Sequence, residues 1–167
     1  MKTRLHYLIL FSCLLAALPL TARPSYSQTP ATITESDINA MLNRMDRAAR
    51  KGNVAGIVAP FAKDIKIKMT MSAPGSDKEQ VISLSKEQYA HNARQNMRLR
   101  VAYQLQRKNV RIKIYGDQQT AMVTSELYES FTIRQGTLRA SASEVLIVSL
   151  QNGKVVIDSS DTRARLY

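Results

Sequence analysis

Four side chains late in the chain are of the types that do acid–base chemistry: Glu129, Glu144, Asp161 and Arg163. They meet only if the strands that carry them pair in one way. Gln135-Gly136, read as a two-residue turn, sets Arg134 opposite Thr137, and with it Glu129 opposite Ala142 and Leu127 opposite Glu144. Asn152-Gly153, read likewise, sets Glu144 opposite Asp161 and Ala142 opposite Arg163. One sheet face is then apolar at one end, through Val123, Leu146 and Val148, and carries three carboxylates and a guanidinium at the other. Core patterning alone does not ask for charges there. Close carboxylates raise one another's pKa and an arginine lowers it, so such a knot could hold a proton near neutral pH. That suits general acid–base work or a hydrogen-bonded grip on a polar ligand. The plainer reading is an ion-pair network at a hydrated rim.

Tyr103 joins this group if a bulge near Lys108-Asn109 reconciles its parity with that of Val110, Ile112 and Ile114. Otherwise it is a core tyrosine with its hydroxyl at the edge. His91 is the one histidine after the first few residues and is counted with the ligand contacts or, more simply, as a rim residue. Without a second ligand-type neighbour it makes no metal site. No glycine-rich phosphate loop, nucleophile elbow or calcium loop is present, so no cofactor is expected. The methionines at 41, 45, 69, 71, 97 and 122 include several on inward faces, as plain core or as an adaptable lining for an apolar ligand.

The elements that must position these residues follow from spacing. Thr34 and Ser36 offer N-caps for a helix whose apolar side is Ile38, Met41, Leu42, Met45, Ala48 and Ala49, closed by Gly52. Asn53 caps a short second helix from Val54 to Ala62. Ile65, Ile67, Met69 and Met71 alternate with Lys66, Lys68 and Thr70 as a half-buried strand that ends at Pro74-Gly75. Ser85 and Gln88 form a capping box for a third helix from Lys86 to about Arg98. From Val101 onward, turn signals at Gly116-Asp117, Gln135-Gly136 and Asn152-Gly153 divide four antiparallel strands. The class is α+β: a curved antiparallel sheet of about five strands wrapped around three helices.

This order, and above all the stretch Lys51-Gly52-Asn53-Val54-Ala55-Gly56-Ile57-Val58-Ala59-Pro60-Phe61-Ala62-Lys63-Asp64, resembles the NTF2-like (SnoaL-like) superfamily over about residues 33–167. The resemblance implies a cone-shaped fold with a cavity near the charged end, and sheet-face homodimers are common in it. It does not imply a function, because the family holds isomerases, dehydratases, hydrolases, transport factors and non-catalytic binders. Its ketosteroid-isomerase branch uses a tyrosine on the first helix, an aspartate on the first strand and an acid late in the meander. Those places fall here on Met45, Met69 and, within a residue, Glu144. Methionine moves no proton, which weighs against that enzyme chemistry.

Met1 to His6 carries Lys2 and Arg4, Tyr7 to Leu20 is almost wholly apolar, and small residues follow. That is the pattern of a secretory signal, too short for a membrane span of about 20 residues, with cleavage expected after Ser27 or Ala22. Cys13 is poorly placed for lipidation, since Phe11 precedes it closely. The expected organisation is therefore signal peptide 1–27, polar lead 28–33 and one domain 34–167, in a periplasmic or extracellular setting. Lysine and arginine number 24 against 13 acids. Lys66, Lys68, Arg111 and Lys113 share the outer sheet face with Arg134 and Arg139, and could meet anionic lipid, cell-wall polymer or a second subunit. Only Tyr128 offers an aromatic there, which argues against nucleic acid. The leading expectation is an exported domain that binds a small, partly apolar molecule or a protein partner without catalysis. The alternatives are an isomerase or dehydratase using Glu129, Glu144 and Asp161, and an envelope protein using the basic face.

Overall fold

The structure, a computed structural model, describes residues 32–72 and 78–167. The expected signal peptide with Cys13, the lead up to residue 31 and the Pro74-Gly75 break lie outside the described residues.

The first helix, α1 (Glu35–Arg50), begins at Thr34, whose hydroxyl oxygen accepts from the Asp37 amide at 3.1 Å. Gly52 follows its end at φ +68°, a left-handed conformation that side chains with a Cβ resist. Asn53 caps α2 (Val54–Val58), and the expected Ser85/Gln88 box opens α3 (Lys86–Leu99). Ile38, Met41, Leu42 and Met45 of α1 meet Ile65, Ile67, Val123, Leu146, Val148 and Ile157 of the sheet to form the core. Ile33, expected to belong to a polar lead, is buried in that core, and its amide bonds the Gln118 carbonyl at 2.9 Å.

Six strands form one sheet: β1 (Phe61–Ser72), β2 (Glu79–Leu84), β3 (Ala102–Ile114), β4 (Thr120–Ile133), β5 (Gly136–Gln151) and β6 (Lys154–Leu166). Their order is β2-β1-β6-β5-β4-β3. The sequence reading expects about five, all antiparallel. It lacks β2, a short edge strand whose Val81 is 56 % exposed and which buries too little to stand out as a strand. It also lacks the parallel pairing of β1 with β6, made because the meander brings its last strand back beside the first.

The hairpins carry two corrections. The β4–β5 turn residues are Arg134-Gln135, with Ile133 opposite Gly136, so every pair slips by two from the expected register. A slip of two keeps the faces: Glu129 and Glu144 both still point toward the helices, Glu129 now opposite Ala140 and Glu144 opposite Ser125. The β5–β6 turn is at Asn152-Gly153 as expected, both at positive φ. Beyond it, however, an irregularity between Ile147 and Val148 inserts Asp158 as an extra residue on β6. That single-residue shift turns the rest of the strand over. Glu144 lies opposite Thr162, while Asp161 and Arg163 lie opposite Val145 and Ser143 on the helix-free face. On β3 the anticipated bulge is present, with Asn109 at φ +53° between Lys108 and Arg111, and Tyr103, Leu105 and Arg107 face the helices.

Candidate functional site

Helix-facing positions are nearly inaccessible where α1 covers the sheet, as at Ala121, Val123 and Leu146. Further along the same strands Phe131 and Ile133 are half-buried and Leu138 is exposed. The helices stop covering the sheet there, and the cone opens.

Just inside this mouth stands a buried charge cluster. Arg107 of β3 donates through Nε and Nη2 to Asp46 of α1, with Nη2–Oδ1 at 3.1 Å. Its Nη1 donates to Ser125 Oγ at 2.6 Å and to Glu144 Oε2, and Ser125 in turn donates to Glu144 at 3.1 Å. The Arg107, Asp46 and Glu144 side chains are each about nine-tenths buried. Burial pulls the Arg107 pKa down, but Glu144 and Asp46 outweigh it and the net shift is upward. The guanidinium is thus a fixed charge clamped between two carboxylates, a bracing unit that ties α1 to three strands.

Nearer the mouth lies a second, less saturated group. Glu129 of β4 has its pKa raised, chiefly by burial and further by the Glu144 charge. The Tyr103 hydrogen bond and Arg100 oppose that shift. Burial and Glu129 push the Tyr103 phenol far up, and the Arg100 guanidinium lies 4.1 Å above its ring. Tyr89 on α3, pushed up to about 12 by burial and then by Glu129 and Glu144, packs against Phe61 with ring centroids 5.5 Å apart. Both phenols therefore keep their protons at ordinary pH, and Glu129 is the carboxylate of this group whose protonated form burial favours.

Of the residues expected to form the site, Glu129, Glu144 and Tyr103 share the helix-facing side. Asp161 does not: it pairs with Lys68 at 3.2 Å on the opposite face, both side chains nearly half exposed. Its Oδ1 is enclosed with no partner among the described residues. Arg163 is exposed on that same face. His91 is exposed on α3, its Nε2 3.3 Å from Gln95 Nε2, rather than at the mouth. Met45 is core, and Met69 packs against it. Two members of the charge cluster are missing from the sequence reading, Asp46 and Arg107. Each had a signal. Asp46 continues the row Ile38–Leu42 at helical spacing, and Arg107 shares the parity of Tyr103 once the bulge is admitted. Among the described residues, no cluster of histidine, cysteine or carboxylate groups could hold a metal ion, and no helix is long and apolar enough to cross a membrane.

An α+β cone with a half-open mouth and a polar pair at its rim defines a class of folds with many functions. The fold is that of the NTF2-like superfamily. A scytalone dehydratase-like protein of Novosphingobium aromaticivorans superposes with TM-score 0.64 at 12% identity, over 77% of this chain and 82% of its own. A conserved protein of Planctomyces limnophilus gives 0.64 at 18% identity, over 80% and 97%. An NTF2-like protein of unknown function from Pseudomonas putida gives 0.55 at 16%, over 77% and 84%. No protein-family profile and no curated protein matches the sequence.

Proposed function

We propose that this is an exported binding protein whose cone mouth takes a small, partly apolar molecule, gripped by Glu129 and Tyr103, without catalysis. The observation that carries the reading is the half-buried Glu129–Tyr103 pair beside apolar side chains that the helices leave uncovered. A protonated Glu129 can donate and an ionised one can accept, while Tyr103, hydrogen-bonded to Glu129, orients it and leaves the phenol oxygen as a further acceptor. Phe131, Ile133 and Leu105 supply the apolar wall.

General acid–base turnover needs an acid and a base, and here Glu129, its pKa raised by burial, is the one free candidate. Arg107 occupies Glu144 and Asp46, Tyr103 is too weak an acid, and Asp161 and His91 lie elsewhere. The second reading, an enzyme using Glu129 as its single base, draws on that raised pKa and on the likeness to a scytalone dehydratase-like protein.

Native mass spectrometry of the chain purified from its own host separates the two. A retained small molecule, held at least about tenfold more weakly by Glu129→Gln or Tyr103→Phe, supports binding. Undiminished affinity in Glu129→Gln together with conversion of the molecule by the unaltered protein alone establishes catalysis instead. The same spectra test export: a mature mass beginning at Gln28 or Arg23 supports it, and an intact Met1 start removes it.

A further inference from the structure

The helix-free face of the sheet carries its own recess. A hollow of about 560 Å³ lies over β1, β6, β5 and β4. The register lays it out in two rungs. One runs Thr70, Arg163, Ser143, Glu126, and the next Ser72, Arg165, Ser141, Tyr128. Two arginines, their Cα atoms roughly 6–7 Å apart along one strand, are thus flanked on both sides by hydroxyl-bearing residues. Neither arginine forms an ion pair among the described residues. Two acids also line the hollow: Glu126, engaged by Asn109 Nδ2 at 2.9 Å and by the Tyr128 hydroxyl at 2.8 Å, and Glu79 at its β2 edge, opposite Ser72. Beyond the hollow the same face carries Lys66 on β1 and Arg111 and Lys113 on β3, while Lys68 is paired with Asp161.

We propose that this face binds an anionic polysaccharide, with Arg163 and Arg165 as the anchors. Guanidinium forks recognise sugar carboxylates bidentately, and alternating serine and threonine hydroxyls match sugar hydroxyls. The basic residues beyond the hollow suit a chain longer than one residue. A lipid surface fits less well, because the anchors are recessed among hydroxyls and the exposed apolar side chains of this face, Val81 and Val145, stand apart on β2 and β5 rather than as one patch. Nucleic acid fits less well too, since Tyr128 alone could stack on a base.

The test is calorimetric titration of the full chain with polygalacturonate, with neutral dextran and phosphatidylglycerol vesicles in parallel. Expected is binding to polygalacturonate that weakens steeply with salt, and no binding to dextran. The double variant R163Q/R165Q should weaken it at least about tenfold, and R94Q/R98Q, exposed on α3, by no more than about twofold. All four side chains are partly or wholly in solvent, so unchanged circular dichroism verifies folding. No binding at low salt overturns the proposal. So does equal weakening by both pairs, which would mean diffuse charge attraction, and so does binding to vesicles alone.

Discussion

Arg107 shows at the scale of one residue what a buried charge does. Two carboxylates, a serine hydroxyl and the guanidinium satisfy one another with little water present, so removing the cation leaves two anions stranded. Arg107→Met should therefore cost about 3–5 kcal/mol in urea unfolding. Adding Asp46→Asn and Glu144→Gln to it should recover a large part of that loss, because the stranded charges go too. A loss below about 1 kcal/mol for the single variant would show the cluster to be hydrated. Glu129 gives a different signature. Its native pKa lies above its unfolded value, so between the two only the folded state holds the proton, and stability falls as pH rises through that window. Glu129→Gln removes this titration: its stability relative to the unaltered chain should rise across the window and stay level above it. Denaturant midpoints measured on both proteins across the acid-to-neutral range check this. Glu129, Glu144 and Tyr103 could be read from alternation because each sits on an ordinary strand stretch or beyond a bulge with a visible cause. Asp46 was hidden by its neighbour Met45, which drew the apolar face, and Asp161 was misplaced by a bulge with no turn residue to mark it.

Strand irregularities decide at the scale of elements which side chains reach the mouth. On β3, Asn109 absorbs the extra residue in a left-handed conformation and lets both halves of the strand keep apolar or functional residues inward. Asn109→Gly should leave stability within about 0.5 kcal/mol, since glycine adopts that conformation freely, although the bond to Glu126 is lost. Asn109→Ala should cost about 1–2 kcal/mol, the penalty of a Cβ at positive φ. Equal costs for the two would place the strain elsewhere. The α1–α2 junction is tighter still. A Cβ at Gly56 would lie 2.8 Å from the Ala48 Cβ, a rigid neighbour, so Gly56→Ala should cost about 1–3 kcal/mol by overpacking, read from the thermal midpoint. Caps and turns were legible because each rests on one or two side chains: Thr34, Gly52, Asn53, Ser85 with Gln88, and Asn152-Gly153. Register was not, because Gly136 serves as the first residue of β5 rather than as half of the turn. Nor was β2, which depends on β1 for its pairing more than on any burial of its own.

The two sheet faces divide the labour of the whole molecule: one holds the core and the mouth, the other holds unpaired positive charge. Lys66, Arg111, Lys113, Arg163 and Arg165 share a twisted surface on which they outnumber the acids Glu79, Glu126 and Asp161, the last already paired with Lys68, and adjacent members of a strand are closer than the Debye length of about 10 Å at 0.1 M salt. Such a face repels itself in the folded state and relaxes on unfolding. Sodium chloride raised from about 0.01 M to about 0.2 M should therefore increase the thermal midpoint of the unaltered chain. R163Q/R165Q should start from a higher midpoint at low salt and gain less from the same addition. Comparing the two proteins cancels the general effect of salt on apolar burial, which both share. The buried Arg107 cluster contributes little to the difference, because ions reach it poorly. A midpoint that falls with salt in the unaltered chain, or an identical rise in the variant, would mean that attractive surface pairs such as Lys68–Asp161 outweigh the repulsion.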